Sequence, residues 1–324
     1  MLGRRGRWPL LTAALLAFAA VGWLVAGWFT PGPLPRETTF VVPDGASLAT
    51  VAAKLQREGA IGNAEAFRIR ARIFGAGTPI KAGEFMLPKG ASPSRILSII
   101  QGDEVLRRFV TIPEGMPSIM VYERLMANNQ LTGSIEVPAE GSILPDTYEI
   151  ERGESRQAVL LRMQAAMQRT LAELWAKRSP NTVVKTPAAA LALAAIVEKE
   201  TGKPSERRTV AGLYSNRLRQ GIMLQADPTI IYPITKGKPL GRRIRQSEIQ
   251  AVNDYNTYTM IGLPKGPITN PGRASIEAVL NPAQTDVLYM VADGTGGHLF
   301  AKTLDEHNAN VERWFAISKA RGDF

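Results

Sequence analysis

The sequence has no cysteine and only two histidines, His298 and His307. Disulfides and thiolate metal sites are therefore excluded, and a zinc site would have to come from carboxylates that show no ligand spacing. A Gly-x-Ser-x-Gly elbow is also missing, and neither histidine has a visible nucleophile partner, so a serine hydrolase is not expected. Acidic residues are the scarcer charge, 29 against 39 Lys and Arg, which leaves a net charge of +10. Such a balance suits an acidic polymer or an anionic membrane surface, and on charge alone nucleic acid would fit equally well.

What is present begins with an apolar run. The chain has 324 residues, enough for two modest domains and an anchor. Leu10 to Phe29 contains no charge and matches the roughly 20 residues that cross about 30 Å of hydrocarbon. Trp8, Trp23 and Trp28 lie toward its ends, and Arg4, Arg5 and Arg7 precede it with no acidic residue between them. By the positive-inside tendency the N-terminus stays in the cytoplasm and the remainder lies outside, which removes nucleic acid as a partner. Ala17-Phe18-Ala19 offers a competing reading as a signal-peptidase site, but the apolar run continues well past it. Thr30 to Pro35 is rich in Pro and Gly and reads as a short, stiff spacer.

A strand-turn-helix unit then recurs. Phe40-Val41-Val42 runs into Pro43-Asp44-Gly45 and a helix bearing Leu48, Val51, Ala52 and Leu55. Glu84 to Leu87 leads through Gly90 to Ile96, Ile99 and Ile100, and Val110-Thr111-Ile112 leads through Pro113-Glu114-Gly115 to Ile119, Tyr122, Leu125 and Met126. A weaker copy starts at Tyr148 and opens a helix at Ser155. The repeat speaks first for folding: glycine makes the turn and serine caps the helix.

Thr186-Pro187 forms an N-cap and N1 pair for a helix, Ala188 to Val197, apolar on nearly every face and so expected to be buried. A second helix should cover about 205–220. A polar stretch rich in Gly, Pro, Asn and Thr, Gly221 to Pro282, then reads as loops lining a site. Val287 to Ala292 and Leu299 to Lys302 suggest a hairpin, with a last helix over about 305–320. The glycines at 294–297 are not a dinucleotide loop, because a strand and not a helix follows them.

Glu198 and Glu200 close the apolar helix. Two residues apart, they point about 200° from each other and cannot cooperate as a carboxylate pair. Glu198 follows a wholly apolar stretch, and both burial and the negative end of the helix dipole favour its protonated form, as a general acid needs. Lys199 and Lys203 act against this, and an ordinary charged helix end is the plainer reading of composition alone. No second carboxylate stands out as a partner. Asn216, Gln225, Asp227, Thr229, Tyr232, Asn256, Thr257, Tyr258 and Asn270 suit hydrogen bonding and stacking to a sugar.

Ile196-Val197-Glu198-Lys199-Glu200-Thr201, Ser215-Asn216-Arg217-Leu218, Leu224-Gln225-Ala226-Asp227-Pro228-Thr229, Tyr255-Asn256-Thr257-Tyr258 and Gly262-Leu263-Pro264 together resemble the endolytic murein transglycosylase, or YceG-like, family. Leu144-Pro145-Asp146-Thr147-Tyr148, Gly266 to Gly272, Gly296-Gly297-His298 and Glu306-His307-Asn308 extend the similarity. Leu144 and Lys265 depart from it, standing where the family often has an aromatic residue and a proline. The resemblance implies an α+β protein with an N-terminal transmembrane helix, a LysM-like strand-turn-helix subdomain and a mixed α+β catalytic domain with long site-lining loops. The expected divisions are a cytoplasmic N-terminus (1–9), the transmembrane helix (10–29), a linker (30–39), the LysM-like part (40–135) and the catalytic part (136–324).

The resemblance further implies a carbon–oxygen lyase that cuts the MurNAc-GlcNAc β-1,4 bond of peptidoglycan at the inner (plasma) membrane, with Glu198 as acid/base and no cofactor or metal. The 6-hydroxyl of MurNAc would be the nucleophile, leaving a 1,6-anhydro end, so a second carboxylate is not required. Implied partners are glycan strands and peptidoglycan synthases of the penicillin-binding type. The alternatives are a non-catalytic peptidoglycan-binding scaffold and a hydrolytic muramidase.

Overall fold

The computed structural model describes residues 7–75 and 77–321. Arg4 and Arg5 of the expected cytoplasmic flank lie outside the described residues. The apolar run forms one helix, α1 (Arg7–Phe29), of which Leu11–Phe29 is long and apolar enough to cross a bilayer, making it a candidate membrane anchor. The chain divides into two compact units, one up to Arg108 and one from Phe109.

In the first unit β1 (Thr38–Val42) pairs antiparallel with β2 (Gly83–Leu87), Phe40 opposite Phe85. Helices α2 (Leu48–Arg57), α3 (Ala64–Phe74) and α4 (Pro93–Gln101) supply Val51, Leu55, Phe67, Ile96 and Ile100 to the core with Phe40 and Phe85. Serine caps two of these helices as the repeat predicts: Ser47 Oγ accepts from Thr50 N–H at 3.2 Å and Ser92 Oγ from Arg95 N–H at 3.2 Å. Helix α3 has no counterpart in the repeat pattern.

The segment expected to be a short, stiff spacer is docked against the first unit's core instead. Leu34 is buried in this core, the Gly32 N–H donates to the Gly90 carbonyl at 3.2 Å, and the Gly90 N–H donates to the Leu34 carbonyl at 3.0 Å. Trp28 at the end of α1 is buried in the same core, its ring 5.9 Å from those of Phe67 and Phe74. Composition alone pointed to a spacer because Pro and Gly forbid regular structure; they do not forbid packing.

The second unit starts at the third repeat, so that copy is separated from the first two. Its strand β3 (Arg108–Ile112) pairs with β4 (Asp146–Ile150), and α5 (Ser118–Ala127) and α6 (Arg156–Ala176) close a core of Val110, Ile112, Val121, Leu125, Val159 and Met163. Here Pro117, not a serine, occupies the N-cap position of α5, while Ser155 Oγ caps α6 by accepting from Ala158 N–H at 3.1 Å. The second core of this unit is built on α7 (Pro187–Glu200), where Thr186 Oγ1 accepts from Ala189 N–H and Ala190 and Ala192 to Val197 are buried. Around it pack α6, α8 (Arg207–Gln220) and α11 (Arg273–Leu280).

The stretch 221–282 is more structured than a loop reading suggests. It holds α9 (Pro228–Thr235), α10 (Gln246–Ile249) and α11, while 251–272 carries no helix or strand. The expected hairpin is present as β5 (Tyr289–Ala292) and β6 (His298–Ala301), Val291 opposite Leu299, followed by α12 (Leu304–Arg321).

Candidate active site

Glu198 lies in the last turn of α7. Its carboxylate is nearly buried, 6% exposed, and Oε2 accepts from the Gly272 N–H at 2.9 Å, at the start of α11. Apolar packing of α7 against α11 brings these two helix ends together.

A second carboxylate stands beside it. Glu114, in the turn after β3, is 47% exposed, and Arg207 at the start of α8 reaches both acids with one nitrogen: Nη2 is 3.7 Å from Glu114 Oε2 and 3.9 Å from Glu198 Oε1. Burial and the Glu198 charge push the Glu114 pKa up, and Arg207 pulls it down. The turn is fastened by backbone: the Gly115 N–H donates to the Asn270 carbonyl at 3.0 Å. Gly272 leaves room for Glu114 where it stands: a Cβ at 272 would meet its Cγ, at 2.7 Å, together with its carboxyl group. Glu114 thus contacts the residue whose amide holds Glu198.

Two cavities flank the end of α7. One, of about 470 Å³, is lined by Glu114, Gly115, Met120, Lys199, Ile231 and Lys238 among others. The other, of about 370 Å³, is lined by Glu200, Tyr214, Arg217, Gln225, Asp227 and Tyr258. Lys199, Pro228 and Ile231 line both, so the cavities adjoin. The two glutamates of the motif do face different surroundings, as their angular separation requires. Burial, and then the nearby Asp227 charge, push the Glu200 pKa up to about 7 against the Tyr214 hydroxyl and Arg217.

The residues expected to bind sugar separate into groups. Gln225, Asp227 and Tyr258 line the Glu200 cavity, with the Tyr258 hydroxyl donating to Asp227 Oδ1 at 2.6 Å. Gln225 holds a left-handed backbone, φ 53°, and its N–H donates to the Thr257 carbonyl at 3.1 Å. Tyr232 packs its ring 4.8 Å from that of Tyr255, and burial, followed by the Glu140 charge, raises its pKa.

Thr229, Asn256, Thr257 and Asn270 are fully buried and hold the loops in place. Thr229 Oγ1 and Thr257 Oγ1 lie 2.8 Å apart, and Asn256 Nδ2 donates to the Ile249 and Ala251 carbonyls at 2.9 and 2.7 Å. Asn270 Nδ2 donates to the Met116 carbonyl at 2.9 Å while its Oδ1 accepts from Ile143 N–H at 3.0 Å, which ties the Glu114 turn to the loop before α11. Asn216 lies elsewhere: its Nδ2 donates to the Thr285 carbonyl at 2.7 Å, and it lines a separate cavity with Asn181 and Arg219.

Glu114 and Arg207 were not singled out by sequence reasoning. The only available signal was a carboxylate at the centre of a Pro-x-Gly turn, and Asp44 occupies the same place in the first repeat.

Two relatives are each named an endolytic murein transglycosylase. The one from Bacillus subtilis strain 168 is 25% identical over 307 residues, covering 85% of this chain and 84% of that protein. The one from Streptococcus pneumoniae strain D39 is 28% identical over 326 residues, and the match spans 58% of its length. The crystal structure of a yceG-like protein from Listeria monocytogenes superposes with a TM-score of 0.55 at 25% identity, covering 85% of this chain and 98% of that one. The profile of the YceG-like family matches residues 40–313, from β1 into α12, and the chain therefore belongs to the YceG-like family.

Proposed function

We propose that this chain is a membrane-anchored lytic transglycosylase that cuts peptidoglycan strands internally at the MurNAc-GlcNAc β-1,4 bond. The observation that carries the reading is Glu198, a nearly buried carboxylate held by the Gly272 amide beside two adjoining cavities, in a chain whose relatives are named for this activity. In the simplest path Glu198 protonates the glycosidic oxygen. The 6-hydroxyl of MurNAc then attacks C1, and its proton returns to Glu198, leaving a 1,6-anhydro end. A tethered nucleophile removes the need to position a water.

The LysM-like strand-turn-helix units would hold the glycan, with Gln225, Asp227, Tyr232 and Tyr258 as sugar contacts in the loop region. We draw the catalytic part from Phe109, the start of the second compact unit, which carries both Glu114 and Glu198. With α1 as a single-pass anchor and the N-terminus cytoplasmic, cutting is restricted to nascent strands at the membrane and limits their length. Peptidoglycan synthases are the fitting partners.

A second reading, hydrolysis to reducing ends, is favoured by one observation: Glu114 and Glu198 together could supply the acid and base that attack by water requires. Digestion of purified glycan strands followed by mass spectrometry separates the two. Anhydro ends, lighter by one water, are expected; reducing ends alone would transfer the case to hydrolysis.

A further inference from the structure

Glu198 has two proton transfers to perform on the simplest path, and the geometry points to a partner for one of them: we propose that Glu114 is a second catalytic carboxyl group, donating to the glycosidic oxygen while Glu198 accepts the proton of the attacking hydroxyl. This rests on the glycan-cleaving reading above. Glu114 forms part of the wall of the 470 Å³ cavity, whereas Glu198 does not line it and is engaged as an acceptor by the Gly272 amide. One guanidinium nitrogen serves both acids at 3.7 and 3.9 Å, too long for hydrogen bonds, and Arg207 Nε is buried without a partner. The bridge therefore has unused donors with which to tighten around a sugar bound in the cavity. The raised pKa of Glu114 suits the member of the pair that carries the proton.

In the reaction the C1–O bond breaks, its electron pair stays on the leaving oxygen, and that oxygen takes the Glu114 proton. The MurNAc O6–C1 bond forms as the hydroxyl proton passes to Glu198, and exchange with solvent resets both groups. The charged groups facing Glu114 are Glu198 from α7 and Arg207 from α8, with Lys199 and Lys238 on the same cavity wall.

The test is Glu114→Gln in the full chain, assayed on purified strands across pH. Expected are a kcat lower by roughly 10²-fold or more, an unchanged melting temperature, and loss of the alkaline limb of the profile while the acid limb remains. Wild-type kcat, or a lower kcat with both limbs intact, would overturn the proposal. A wild-type protein that cleaves nothing would instead defeat the glycan-cleaving reading itself, and this proposal with it.

A separate observation concerns α3. It packs along the last turns of α1: the Arg70 guanidinium covers the Trp23 ring at 4.2 Å, Arg70 Nη2 donates to the Trp23 carbonyl at 3.0 Å, and Phe74 meets Phe29 at 6.4 Å. Trp23 to Phe29 spans about 9 Å along the helix. If the bilayer ended at Gly22, the remaining run from Leu10 would cover only about 20 Å of the roughly 30 Å needed. If it reaches Phe29, α3 is drawn to headgroup depth. The free face of α3 is apolar where this demands it, with Ile69 and Ile73 exposed at 43% and 57%, flanked by Arg72 and by Arg68, which pairs with Glu65 at 2.6 Å.

We infer that α3 lies in the interface of the membrane that α1 spans, its isoleucines among acyl chains and its arginines at anionic phospholipid headgroups. The chain lacks cysteine, so Ile73→Cys and Val21→Cys each give a unique site for an environment-sensitive dye. In vesicles of anionic phospholipid with brominated acyl chains, the dye at 73 should lose fluorescence to an extent comparable with that at 21. Quenching at 21 alone would overturn the surface, and quenching at neither would overturn the anchor and the surface together.

Discussion

Gly272→Ala moves one carboxylate of the site without altering its chemistry. The backbone at 272, φ −71° and ψ 164°, is open to alanine, so no strain arises there. The new Cβ would lie 2.7 Å from Glu114 Cγ. The Glu114 carboxyl carbon and Oε1 would lie closer still, and carbon atoms settle at about 3.5–4.0 Å, so the end of the Glu114 side chain must swing away by roughly 1.5 Å, which its exposure allows. The amide that holds Glu198 stays in place. Two small backbone effects oppose each other: alanine is a poorer N-cap residue than glycine, by roughly 0.5 kcal/mol, while a stiffer unfolded chain returns about 0.4–1 kcal/mol. Net stability should change by less than about 1 kcal/mol, or about 2–4 °C in melting temperature for a unit of this size. A misplacement of about 1 Å can cost on the order of 10²-fold in rate, so kcat on purified strands should fall by about one to two orders of magnitude. Full activity with an unchanged melt would refute the claim that Glu114 must stand where it does.

Other outcomes follow from burial and charge. Glu140 accepts from the Ser118 N–H at 2.8 Å, and burial raises its pKa to about 7. Because the folded state binds this proton more tightly than the unfolded one, its contribution is complete below about pH 4.5 and is lost as pH rises through about 7. Glu140→Gln should therefore gain stability relative to wild type on going from pH 5 to pH 8.5, by an amount on the order of 2–3 kcal/mol; denaturant unfolding at the two pH values measures it, and an equal difference at both would contradict the assignment. Trp28→Ala should cost the first unit roughly 3 kcal/mol through the cavity it leaves, read as lowered thermal stability of the full chain in detergent. An anchor replaced by a cleavable signal should leave cleavage in solution intact while glycan strands in cells change in length.

Local chemistry made much of this structure legible in advance. Thr186-Pro187 marks the start of α7 because an N-cap hydroxyl and a proline at N1 both relieve unsatisfied amides there. The turn glycines at 45, 90, 115 and 153 all have positive φ, as the repeated pattern requires. What escaped depends on contacts between distant segments. Glu114 and Glu198 belong to a turn and a helix end that meet through Asn270, Gly272 and Arg207 and where Gly115 comes close to the Glu198 side chain, and no local spacing encodes that meeting. Asn256, Thr257 and Asn270 look like sugar ligands in a sequence because the residue types that bind sugars also satisfy buried loop backbone. The segment 30–35 reads as a spacer until Leu34 is seen inside a core.

The central claim is tested most directly by Glu198→Gln in full-length protein, digested with purified glycan strands beside the wild type. Wild type should give internal fragments with anhydro ends, and the variant should keep its melting temperature but yield essentially none. Undiminished cleavage by the variant would contradict it.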